Sequence, residues 1–70
     1  MRVTVNSAYG YIKIFVRIDA KTLFTFVRYE DDTDYYYNSC RSGVKCTDKE
    51  VIDMLNAALE DKRNEIAMGP

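Results

Sequence analysis

Histidine is absent from this chain, and with it the commonest general base, triad partner and transition-metal ligand. Ser7, Ser39 and Ser42 are therefore left without an activating partner. Cysteine is scarce: Cys40 and Cys46 are the two present, and no further ligands stand around them at a zinc spacing. A disulfide could close over the residues between them. No signal-peptide core precedes them, however, because Thr4, Asn6, Ser7 and Lys13 interrupt any apolar run at the start. Reduced thiols in a cytoplasmic protein are the expectation. Long apolar runs are missing too, which excludes a membrane-spanning helix. Proline occurs once and glycine three times, so neither a linker nor a low-complexity tract interrupts the chain. These absences argue against an enzyme, a cofactor and a bound metal.

What is present is the composition of a folded domain, 47% hydrophobic and 30% charged, in place of a disordered tail. At 70 residues it is one domain, 1–70, of a size that buries only about 60% of its unfolded surface. A thin core and no deep cleft follow. The net charge is −1, but it is unevenly laid out, with +4 over residues 1–29, −4 over 30–34, +2 over 35–46 and −3 beyond. The chain is electrically polarised along its length.

Hydropathy alternates with a period of two in Met1–Val5 and again from Tyr11 to Ile18, where Ile12, Ile14, Val16 and Ile18 oppose Tyr11, Lys13, Phe15 and Arg17. Asn6–Gly10 reads as a turn between these strands. Asp19–Thr22 reads as a hairpin connection to a third strand, Leu23–Tyr29, and a short fourth is expected within Thr33–Asn38. A loop should follow over 39–46. Thr47-Asp48-Lys49-Glu50 matches the capping box that starts a helix, and Val51, Ile52, Leu55, Ala58, Leu59 and Ile66 then fall on one stripe. Lys62 interrupts that stripe, so its stem should cover apolar surface. Gly69 and Pro70 are helix-stopping residues. The fold class expected is α+β: a small antiparallel sheet of three to four strands, about 1–38, with one helix, about 47–66, packed on one face.

One helix leaves the other sheet face bare, and the register of the hairpin at 19–22 decides what that face carries. An even loop sets Phe15 against Phe26, Arg17 against Phe24 and Lys13 against Arg28, giving a basic, aromatic platform. Lys13 beside Arg28 would then need an anion or an acidic neighbour such as Asp34. An odd loop moves Phe24, Phe26 and Arg28 to the helix side. We take the even register as the working expectation, and with it Lys13, Phe15, Arg17, Phe24, Phe26 and Arg28 as a candidate nucleic-acid face.

The densest signal is Glu30-Asp31-Asp32-Thr33-Asp34 running into Tyr35-Tyr36-Tyr37. As a calcium loop it fails, since Tyr35 stands where glycine is needed and Arg41 where glutamate is needed. As a surface it combines repelling carboxylates with rigid, amphipathic rings, which favours coverage by another molecule. Glu30, Asp31, Asp32, Asp34, Tyr35 and Tyr37 are thus a candidate partner-binding set. The expected partner is a basic nucleic-acid-binding protein or complex, which this surface would cover as an inhibitor. In size and charge alone the chain resembles small viral inhibitors, anti-CRISPR proteins among them. The alternative is direct nucleic-acid binding by the bare sheet face. The small basic loop Arg41–Lys45, before a helix start, is a weaker anion-binding candidate. An exposed aromatic sheet face also admits a homodimer.

Overall fold

The computed structural model describes residues 1–38 and 43–67, of which 64–67 enter as helix backbone only. Strands β1 (Arg2–Ala8), β2 (Tyr11–Arg17), β3 (Leu23–Tyr29) and β4 (Tyr36–Tyr37) form one antiparallel sheet in chain order, followed by helix α1 (Lys49–Ala67). The expected α+β arrangement of a sheet with one helix packed on it is what the chain adopts.

The first hairpin is longer than the alternation implied. Ala8 pairs with Tyr11, so Asn6 and Ser7 lie in β1 and the turn shrinks to Tyr9-Gly10. Gly10 makes this possible by taking φ +87°, a left-handed value that costs glycine little because it has no Cβ.

The second hairpin corrects the register. Arg17 pairs with Leu23, Phe15 with Thr25, Ile14 with Phe26 and Ile12 with Arg28, across a connection running from Ile18 to Thr22. The Asp19 carboxylate shapes it, accepting the backbone N–H of Lys21 at 2.8 Å and of Thr22 at 2.9 Å. The Ile18 N–H then bonds the Thr22 carbonyl at 3.0 Å, which seats a fifth residue in the loop. Every side chain of β3 is thereby moved to the face opposite the one expected from an even loop.

β4 is shorter than the expected 33–38, because the Asp32 carboxylate takes the Asp34 N–H at 3.0 Å and bends the chain into an Asx turn. Within the expected loop 39–46, Val44–Cys46 runs alongside it. Tyr37 N–H donates to the Val44 carbonyl and Cys46 N–H to the Tyr35 carbonyl, both at 2.8 Å. Tyr36 and Lys45 thus form an antiparallel bridge.

The helix is capped one residue later than the capping box predicts. Asp48, rather than Thr47, accepts the N–H of Glu50 at 3.0 Å and approaches that of Val51 at 3.5 Å, the pattern of an aspartate N-cap. Leu55 and Leu59 are buried against Ile14, Val16, Phe26, Tyr35 and Cys46, with Val3, Val5, Ile12, Tyr37, Val51, Ile52 and Met54 packed around them. Each fully buried aliphatic or aromatic side chain here contributes about 1.5–3 kcal/mol by leaving water. Lys62 is half-buried beside Val3 and Val5. Ser39, Cys40, Arg41, Ser42, the Ile66 side chain, Gly69 and Pro70, with the readings made of them, lie outside the described residues.

Candidate functional site

Alternation sorts the sheet into two faces. Toward the helix point Val3, Val5, Ile14, Val16 and Phe26, and among the described residues no helix lies over the other face. The pairings put Arg2, Thr4, Asn6 and Ala8 of β1 on that uncovered face, with Tyr11, Lys13, Phe15 and Arg17 of β2 and Leu23, Thr25, Val27 and Tyr29 of β3. Tyr36 of β4 joins them opposite Val27.

Three features stand out on this face. Arg2 lies directly opposite Arg17, a like-charge cross-strand pair that is destabilising in isolation. Arg17 partly relieves it by reaching the Asp19 carbonyl at 3.5 Å. The two arginines border an open depression of about 260 Å³ whose remaining walls are Thr4, Phe15 and Leu23. Farther along, Tyr11 opposes Tyr29, and Tyr29 meets the Tyr36 ring at 6.2 Å between centroids. Lys13 sits between these groups, half-buried.

The platform expected from sequence is therefore only partly assembled. Lys13, Phe15 and Arg17 share the uncovered face, but Phe24, Phe26 and Arg28 are on the helix side. Phe26 is 3% exposed and packs on Tyr37 at 5.1 Å. Phe24, beyond the reach of the helix, stays 45% exposed. Arg28 faces Ile12 instead of Lys13, donates to the Asp32 carbonyl at 3.1 Å and lies over the Tyr35 ring at 5.7 Å. In place of the lost residues the structure supplies Arg2, Tyr11, Tyr29 and Tyr36. A two-residue turn at Tyr9-Gly10 is the signal that would have placed Arg2 beside Arg17.

The acidic-tyrosine run is likewise divided by strand parity. Tyr35 is 1% exposed and its hydroxyl donates to Asn56 Oδ1 at 2.6 Å, so it is a core residue and not a contact surface. Tyr37 is half-buried against Phe26. Asp32 accepts the Tyr36 hydroxyl at 3.0 Å, and Asp34 pairs with Lys45 at 3.1 Å, away from Lys13. Glu30 and Asp31 remain exposed.

These contacts move the ionisations. The Asp34 N–H, then the Tyr36 hydroxyl, hold the Asp32 carboxyl below its ordinary range. That same carboxylate pushes the Tyr36 phenol up, and the hydrogen bond to Asp34 raises Lys45. The Lys21 N–H, followed by the Thr22 hydroxyl, lowers Asp19.

The chain matches no family model, no curated protein and no solved structure.

Among the described residues, no three histidine, cysteine or carboxylate side chains group as they would around a metal ion. No helix there is long and apolar enough to cross a membrane. A depression of about 410 Å³ between the first hairpin and α1 includes Arg28 and Arg63 in its wall, with Arg28 already engaged by Asp32 and Tyr35. The uncovered face thus offers cations and aromatic rings side by side, which suits a flexible polyanion carrying planar groups.

Proposed function

We propose that this protein is a non-catalytic binding module whose working surface is the uncovered sheet face, and that its ligand is single-stranded nucleic acid. The observation that carries this reading is Arg2 directly opposite Arg17 above a depression walled by Phe15. Two guanidinium groups held together on a pleated surface repel until an anion sits between them. A phosphate supplies two acceptor edges for such a pair. Phe15, Tyr11 and Tyr29 offer faces on which bases stack, worth about 1–3 kcal/mol per base. Lys13 lies between the arginine pair and the tyrosine pair, where the backbone of a bound strand would pass.

The test is fluorescence anisotropy with labelled single-stranded DNA and RNA. Three phosphate contacts, at Arg2, Lys13 and Arg17, give an expected log–log salt slope of about −2. Arg2→Ala with Arg17→Ala should weaken binding at least about tenfold, since each lost contact of this kind is worth on the order of 1 kcal/mol. Absence of binding at low salt overturns the reading.

A second reading draws on Glu30 and Asp31, which stay exposed beside the Asp32 turn. In it the protein is an inhibitor that covers a basic, nucleic-acid-binding protein surface. Glu30→Lys with Asp31→Lys would abolish capture of such a complex, and capture that survives the reversal removes this reading.

A further inference from the structure

The two edges of the sheet are built differently. On the β4 side the edge strand is two residues long and is covered by the backbone of Val44–Cys46. On the other side β1 runs unbroken for seven residues, Arg2–Ala8, with no second strand beyond it among the described residues. Protein edges are ordinarily blunted by proline, internal lysine or glutamate, a bulge or a short strand. β1 has none of these: its pairing with β2 is continuous, and its single charge, Arg2, stands at one end.

Which groups face outward follows from the turn. A two-residue connection makes Ala8 and Tyr11 the hydrogen-bonded pair that closes the hairpin, so Asn6, Thr4 and Arg2 also bond to β2. Val3, Val5 and Ser7 therefore turn their N–H and C=O groups away from the sheet. Their side chains are on the helix face, where Val3 and Val5 are half-buried and Ser7 is exposed. Beside them a groove of about 370 Å³ separates β1 from Ala58, Asp61 and Lys62 of α1.

We propose that this edge is the interface with a second copy of the chain, β1 pairing antiparallel with β1 about a two-fold axis at Val5. In this register Val5 meets Val5 of the second copy and Val3 meets Ser7, so the outward-facing backbone groups pair with one another. Arg2 comes opposite Ala8, which keeps the Arg2 charges of the two copies apart. The helix faces lie on the same side of the joined sheet. Two helices with Asp61 and Lys62 at the groove then approach in opposite directions, bringing Asp61 of each copy toward Lys62 of the other. The charges are complementary and reciprocal, as a two-fold interface requires. The joined sheet carries two uncovered faces side by side, doubling the basic, aromatic surface.

Sedimentation velocity of the whole chain over a wide concentration range tests this. The expected result is a monomer–dimer equilibrium. Ser7→Pro removes an outward N–H while sparing the bonds to β2, so it should weaken the dimer about tenfold or more with an unchanged far-ultraviolet circular dichroism spectrum. Independently of that variant's folding, Asp61→Lys and Lys62→Asp should each weaken the dimer, and the double exchange should restore it. A chain that stays monomeric at every concentration, or a dimer indifferent to the charge exchange and to Ser7→Pro, overturns the proposal.

Discussion

The Tyr35 hydroxyl donates a 2.6 Å hydrogen bond to Asn56 Oδ1, tying the segment that enters β4 to the middle of α1. The ring is among the largest fully buried side chains of the protein, and Arg28 closes over it from β3. Tyr35→Phe should lower stability by about 0.5–1.5 kcal/mol, the usual net worth of one hydrogen bond. Tyr35→Ala should cost about 3–5 kcal/mol, as for other large aromatic truncations in cores. Urea denaturation of the two variants checks both figures, and a Tyr35→Ala protein of native stability would show that the ring is not core.

Asp32 links the acid and alkaline limits of stability. Its carboxyl, like that of Asp19, is held below the ordinary value of 3.8. Their contributions are present above that unfolded-state value and are lost as pH falls through the lower folded values. Tyr36 and Lys45 are shifted the other way, above 10.0 and 10.5. Their contributions are present below those values and disappear as pH rises through the folded ones. Asp32→Asn should therefore flatten both limbs of a plot of urea midpoint against pH, because the Tyr36 shift comes first from Asp32. A change confined to the acid limb would mean that the Tyr36 hydroxyl does not depend on this carboxylate.

Gly10 should tolerate no β-carbon without strain. Nothing lies within 4 Å of where a Cβ would stand, so crowding is not the obstacle. The φ of +87° is. Gly10→Ala is expected to cost about 1–2 kcal/mol, Gly10→Asn less and Gly10→Val more, read as a graded fall in melting temperature.

Cys46 is 1% exposed and its thiol is free. In a Cys40→Ser background it should resist thiol reagents until the protein unfolds. Cys46→Ser, which buries a hydroxyl at the same place, should destabilise by about 1–3 kcal/mol. Rapid labelling under native conditions would contradict the packing of this residue between sheet and helix.

Asp48, and not Thr47, should carry the helix cap. Asp48→Ala is expected to cost about 0.5–2 kcal/mol and Thr47→Ala much less, measured by thermal unfolding.

The strands were legible wherever one face was apolar and the other polar, as in β1 and β2. β3 was legible as a strand but not in its register, because Leu23, Phe24, Phe26 and Val27 put apolar residues on both of its faces. Only the loop could decide, and its length depends on the Asp19 carboxylate gathering two N–H groups, a contact that no periodicity encodes. The same limit explains Tyr35 and Tyr37. Next to four carboxylates they read as surface, yet once the Asx turn at Asp32 sets the strand, parity directs them inward and Tyr36 outward. Of the candidate platform, Lys13, Phe15 and Arg17 were visible from β2 alone. Tyr11 shares their parity on β2, whereas Arg2 needed the register of the first hairpin and Tyr29 that of the second.

The order β1-β2-β3-β4 also bears on how the chain reaches this state. Each strand pairs with its predecessor, so the sheet closes through short loops and incurs little of the entropy that slows folds with distant pairings. Zipping can proceed hairpin by hairpin, and α1 docks once a sheet exists to receive it. Changes in the hairpins, at Gly10 or Asp19, should then retard folding, whereas changes at Leu55 or Leu59 should act chiefly by hastening unfolding.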